Sequence, residues 1–157
     1  MHAIHDYPVG DDTRQHVADL RLAATGDAQA QLRLSQAARA MVVTGEADEI
    51  IASMEGLTYA RLAAAQGVPD AIMLAADHCA HLGKTYSDCG AEDSASDWIA
   101  QAIGLLEIAT DLLPSENAAA LMQTVNIAAD MSTPDIMALA KFYRAAFIPA
   151  FGLAALA

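Results

Sequence analysis

Residues 64–73 read Ala64-Ala65-Gln66-Gly67-Val68-Pro69-Asp70-Ala71-Ile72-Met73, and this stretch decides the fold. Small helix formers run into glycine, the residue that most readily takes the left-handed turn closing a helix. Proline follows two residues later, suited to a first helical turn where its missing N–H leaves nothing unpaired. A second stretch, Ala23-Ala24-Thr25-Gly26-Asp27-Ala28-Gln29-Ala30-Gln31-Leu32, lies 41 residues upstream. The two share a pair of alanines, the glycine, and an alanine four positions past it. The pattern is a helix end, a tight turn and a new helix start, with small residues where two backbones come close.

Working outward, glycine and proline punctuate the whole chain at helix-length intervals. A first helix is expected from about Asp12 to Thr25. The second starts near Asp27, with Ala30, Leu34, Ala37 and Met41 on one face. A third covers about Ala47 to Gln66, with Ile51, Met54, Thr58, Leu62 and Ala65 in register as its inward stripe. A fourth begins at Pro69 and carries Ala71, Leu74, Ala75, His78 and Leu82. The polar stretch after Gly83 reads as the longest loop, residues 84–94. A fifth helix, to about Leu113, is apolar over a wide arc: Trp98, Ala102, Leu105 and Ala109 beside Ile99, Ile103 and Leu106. That width predicts burial between two other helices. Pro114 ends it, and a sixth helix follows with Ala118, Leu121, Val125 and Ala128 inward. Thr133, Pro134 and Asp135 form a strong start signal for a seventh. It carries Ile136, Leu139, Tyr143 and Phe147, and Pro149 predicts a kink or break. No segment alternates with the period of a strand.

Composition agrees. Of 157 residues, 37 are alanine and 55% are hydrophobic, while aromatics are 5%. The apolar content excludes intrinsic disorder, and alanine without many β-branched residues argues against a β fold. The length suits one domain. Acids outnumber bases 20 to 8, for a formal net charge of −12. That balance disfavours nucleic acid, which needs clustered Lys and Arg. The expected layout is a single all-α domain over 1–157, a short α-solenoid or irregular bundle of about seven antiparallel helices. Residues 1–11 form a flexible N-terminus and 134–157 a C-terminal capping helix.

The opening residues Met1 to Asp12 lack a basic and then apolar leader, so a cytoplasmic location is expected. Cys79 and Cys89 then read as free thiols, although a turn between them would allow pairing. From Ala145 the chain is uncharged to its last residue, too short a run to span a bilayer. It reads as a buried or capping helix and is also a candidate homodimer surface.

Gly26-Asp27-Ala28-Gln29-Ala30-Gln31-Leu32-Arg33-Leu34 resembles the start of a Sel-one-like repeat, within the wider tetratricopeptide-like group. Ala63-Ala64-Ala65-Gln66-Gly67 followed by Ala71 and Ala75 is similar. Ala102, Leu106, Ala109 and Pro114 resemble the second helix and closing proline of a tetratricopeptide repeat. The resemblance touches about Leu20 to Met122; the glycine pair that the family places between the helices of a repeat is missing after Leu34. It implies stacked helix pairs and a scaffold or adaptor role, with a concave face for a partner segment.

Chemistry is sparse. Asp77-His78-Cys79-Ala80-His81, with Cys89 beyond, is the one cluster of metal-ligating types. Asp77 and His81 are four apart on a helix and share a face. The candidate metal ligands are therefore Asp77, His78, His81 and Cys89. The alternative to a binding module is a small helical metal protein or enzyme built on them. No CxxC, HExxH, ExxH, GxSxG or phosphate-loop pattern is present, so no catalytic residue and no cofactor is assigned. A packed core histidine is the commoner explanation of His78, because it sits on the apolar stripe.

Between Lys84 and Lys141 there are nine acids and no base. Such a segment either keeps an apolar chain soluble or steers a basic partner. The reading is a non-enzymatic interaction module that presents a groove flanked by helices 3 to 5, and an acidic face, to a protein or peptide. Tyr59, Tyr86 and Trp98 are its contact candidates, since aromatics dominate interface energetics when exposed.

Overall fold

Seven α-helices follow one another along the chain, and no strand occurs among the described residues, which are 11–113 and 118–156 of this computed structural model. They are α1 (Asp11–Ala24), α2 (Ala28–Thr44), α3 (Glu49–Ala64), α4 (Pro69–Asp88), α5 (Glu92–Leu112), α6 (Ala118–Met131) and α7 (Pro134–Ala150). A 3-10 turn, Ala154–Leu156, closes the described chain. The expected N-terminal segment and Pro114 lie outside the described residues.

The start and stop signals work as chemistry. Asp27 accepts a hydrogen bond from the Ala30 amide at 2.7 Å, and Asp48 accepts from Ile50 and Ile51 at 3.0 Å each. Thr133 accepts from Ile136 at 3.3 Å, with Pro134 at the first position of α7. Each cap satisfies amides that the helix leaves orphaned and stabilises by about 1 kcal/mol. The two stretches 41 residues apart close α1 and α3 alike. Gly26 and Gly67 take φ of 93° and 84°, and the residue after each donates back to the helix, Asp27 to Leu22 and Val68 to Ala63.

Neighbouring helices pack in sequence order from α1 to α5, and α7 then packs on α5. Contacts also skip one helix: α2 meets α4, α4 meets α6, and α5 meets α7. One row therefore holds α2, α4 and α6, while α5 and α7 belong to the other. The main core joins Leu57, Ile72, Leu82, Ile99, Leu105 and Ile108 to Ile136, Ile148 and Phe151. A smaller cluster of Ala23, Ala30 and Leu34 fixes α1. As its wide apolar arc predicts, α5 is buried along both stripes from Ile99 to Ala109, with Trp98 half-buried at the start of one.

Small residues set how near the helices come. A Cβ built on Gly104 of α5 would lie 2.9 Å from the Ala140 carbonyl oxygen and 3.0 Å from the Arg144 nitrogen. Backbone meets backbone there, so α7 seats on α5 only because position 104 has no side chain.

Four expectations change. The 84–94 loop is mostly helix: α4 runs to Asp88, α5 starts at Glu92, and only Cys89, Gly90 and Ala91 connect them. Polarity there serves helices. Lys84 pairs with Asp88 one turn on, and Glu92 and Asp93 occupy the positive end of α5. On α3 the stripe Ile51, Met54, Thr58, Leu62 and Ala65 faces outward. The buried face is Ala52, Ser53, Gly56, Leu57, Ala60, Ala63 and Ala64, because close stacking selects small residues for the inside. On α6, Val125 is exposed and Thr124 buried in its place, while Ala128 is buried as expected; the side chains of Ala118 and Leu121 lie outside the described residues. Finally, the break expected at Pro149 falls one residue later, since α7 ends at Ala150 with the proline in its last turn.

Candidate functional site

The segment Asp77-His78-Cys79-Ala80-His81 lies in the middle of α4, the helix that packs on α2, α3, α5 and α6. Consecutive residues of a helix point about 100° apart, so its chemistry is divided among different neighbours.

Asp77 and His81 come together, as their spacing predicts. His81 Nε2 lies 3.6 Å from Asp77 Oδ1. The same oxygen accepts a hydrogen bond from the Thr124 hydroxyl of α6 at 2.9 Å, and Oδ2 accepts from Arg39 Nε of α2. Side chains of Arg39, Asp77 and His81 keep only 15–18% of their surface exposed. Both oxygens of Asp77 are thus engaged, and the cluster ties three helices of one row.

His78 turns to another joint. Its Nε2 lies 3.1 Å from Ser35 Oγ and 3.3 Å from the Ser35 carbonyl oxygen, and the ring is fully buried. The carbonyl can only accept, so the bond to it places the proton on Nε2. Burial pushes the imidazole down to about 4, against the pull of the Asp77 charge. His81 is also held below its usual value, first by burial. Both rings are therefore neutral at pH 7, and the cluster's charge is the Arg39–Asp77 pair. His78 Nδ1 and His81 Nε2 are buried without a hydrogen-bond partner.

Cys79 points to a third neighbourhood, near Arg61 and Asp97, where burial pushes its thiol up to about 12. Cys89 is exposed at the end of α4, and both thiols are free. The proposed ligand set Asp77, His78, His81 and Cys89 is thus dispersed. Among the described residues no group of three or more His, Cys, Asp or Glu is arranged to hold a metal ion. What the arrangement does chemically is pin helices: buried charge is paired and both imidazoles are uncharged.

A second arrangement lies between α3 and α5. Met54, Leu57, Thr58, Arg61, Leu62 and Trp98 line a groove of about 330 Å³. Met54 and Leu62, from the outward stripe of α3, supply one wall and are 42% and 47% exposed. Trp98 of α5, half-buried, supplies the other. Arg61 is held from below: its guanidinium donates to Gln101 and lies 5.5 Å from the centre of the Phe147 ring. Gln101 in turn donates to Asp97 at 2.9 Å, and Asp97 accepts from the Tyr143 hydroxyl, which burial and that bond push up to about 12. The chain Arg61–Gln101–Asp97–Tyr143 links the groove to α7.

Of the aromatic contact candidates, only Trp98 lines this groove. Tyr59 packs on the small cluster that fixes α1, and Tyr86 packs on the main core. On α7, Ile148 and Phe151 are buried in the core, and Tyr143, Phe147 and Phe151 stack at 6.0 and 5.6 Å. Phe142 stays 66% exposed. Among the described residues no helix is long and apolar enough to cross a membrane.

Sequence reading missed Arg39, Thr124 and Ser35, because their partners lie 38 to 47 positions away and nothing local marks them. Arg61 did carry a signal: it is the one charge in Tyr59-Ala60-Arg61-Leu62-Ala63-Ala64-Ala65. An isolated charge in so apolar a run needs a specific partner. Compared with protein-family models, curated proteins and solved structures, the chain matches none.

Proposed function

We infer that this chain is a non-enzymatic protein-interaction module, a scaffold or adaptor of short α-solenoid type akin to Sel-one-like repeats, which holds a protein segment in the α3–α5 groove. One observation carries the reading: Met54 and Leu62 of α3 are exposed beside Trp98, while Leu57 and the small residues of α3 make the core. Exposed apolar residues gathered on one helix face, with an aromatic wall, mark an interaction surface. The acidic second half gives that surface a field that favours some partners over others. Two free thiols accord with a reducing, cytoplasmic setting.

A metal protein or enzyme built on Asp77, His78, His81 and Cys89 has less support. Arg39 and Thr124 take the Asp77 oxygens, Ser35 takes His78, and Cys89 lies exposed at the end of α4.

The test is a Met54→Glu/Leu62→Glu variant with circular dichroism and melting temperature matched to the parent. Affinity capture from the native cell, read by mass spectrometry, should return a partner with the parent chain and lose it with the variant. Identical partner lists would overturn the groove as the binding site.

A further inference from the structure

We propose that the occupant of the α3–α5 groove is a basic amphipathic helix, lying along α3 with its apolar face on Met54, Leu62 and Trp98. The proposal rests on the groove reading above and names the chemistry of the partner.

The shape argues for a helix. Ile51, Met54, Thr58 and Leu62 advance along α3 in steps of three, four and four residues. Over those positions the stripe rises about 16 Å, or roughly three turns. A second helix presents apolar residues at matching intervals, and the ridges of one pack into the grooves of the other. An extended peptide that binds by strand addition would need an open sheet edge, and the described residues contain no strand. Met54 supplies a flexible, polarizable contact that adapts to the side chains it meets.

The charge argues for a basic partner. Glu46, Asp48, Glu49 and Glu55 are all exposed, around the start of α3 and along its outer face. Glu55 lies within the apolar stripe itself, four residues after Ile51 and seven before Leu62. Asp93 is exposed one turn before Asp97 on α5. The one base lining the groove, Arg61, is engaged by Gln101 and Phe147. Lys or Arg flanking the partner's apolar face would meet these carboxylates, with the density greatest toward the start of α3. A second copy of this chain brings the same net charge of −12 and is repelled. Anionic lipid surfaces are disfavoured for the same reason.

The experiment uses the full chain and three fluorescent synthetic peptides, read by anisotropy at low and high salt. One is a Leu/Lys peptide of about four turns with its leucines on one helical face. The second is a scrambled isomer of identical composition, and the third replaces Lys by Glu. The patterned Lys peptide should bind at least about tenfold tighter than either control, and salt should weaken it. Leu62→Glu, at an exposed position, should abolish the preference. Glu55→Lys should weaken binding several-fold, whereas Asp130→Asn, on α6, should leave it unchanged. Equal binding of patterned and scrambled peptides overturns the proposal, because charge alone would then explain adhesion. Tighter binding of the Glu peptide, lost in Leu62→Glu, overturns the basic partner and leaves the groove reading standing. Binding unaffected by Leu62→Glu overturns both. A dimer seen by light scattering that Leu62→Glu dissociates would make the occupant a second copy, and the proposal fails.

Discussion

The imidazole of His78 fills the space that a side chain at Gly56 would need: a Cβ built there falls 2.3 Å from both Cε1 and Nε2 of His78, and 3.0 Å from the Ala38 Cβ. Helices α2, α3 and α4 converge on this one contact. Gly56→Ala should therefore destabilise the fold by about 1–3 kcal/mol, despite alanine's better helix propensity. Urea unfolding measures it. Adding His78→Ala should recover part of the loss, because the clash disappears, and strict additivity of the two changes would count against this account.

The same histidine makes stability depend on pH. An unfolded chain protonates it near the ordinary value of 6.5, while the folded chain resists down to about 4. Between those values the unfolded state binds more protons, so stability rises with pH. The contribution is complete above pH 6.5 and is lost as pH falls toward 4, with a slope of up to about 1.4 kcal/mol per pH unit. His81, shifted in the same direction, adds to it. Unfolding free energies at pH 7.5 and pH 5 should differ accordingly, and His78→Gln should flatten the curve.

Arg39 and Asp77 predict an asymmetry between breaking and replacing a pair. Arg39→Ala leaves a mostly buried carboxylate with Thr124 and a neutral His81. A loss of about 1–3 kcal/mol is expected. Adding Asp77→Asn to the Arg39→Ala chain should be milder than either change alone would suggest. A double-mutant cycle by thermal unfolding checks this.

The two thiols should separate by reactivity. Cys89 is exposed, while Cys79 is buried with its thiol pushed up to about 12. Thiolate is the reactive form, so iodoacetamide should label Cys89 in the native protein. Cys79 should react only after unfolding. Peptide mapping distinguishes them, and rapid native labelling of Cys79 would contradict the packing.

Ile51 and Leu62 should be nearly silent for folding. Ile51→Ser and Leu62→Ser sit at positions with 68% and 47% exposure and should stay within about 0.5 kcal/mol of the parent. A buried counterpart on the same helix, Leu57→Ala, should cost about 2–5 kcal/mol. Melting curves of the three variants test which face of α3 is the core.

What the sequence determined alone is the set of helices and most of their ends. Gly26, Gly67, Asp27, Thr133 and Pro134 act through local backbone chemistry, which needs no knowledge of distant residues. The inward faces of α4 and α5 were equally legible, since nearly every apolar position there is buried. Tertiary structure decided the rest. On α3 most of the buried face is small, with Leu57 its one large apolar residue, while Ile51, Met54 and Leu62 stay exposed. The space between α2 and α4 admits only Gly56, Ala60 and their like, so Met54 and Leu62 are left to form the groove. Helical rotation scattered Asp77, His78 and Cys79 among different neighbours, and Arg39, Ser35 and Thr124 reached them from far along the chain. Distances between packed helices are a property of the assembled stack, and no window of sequence contains them.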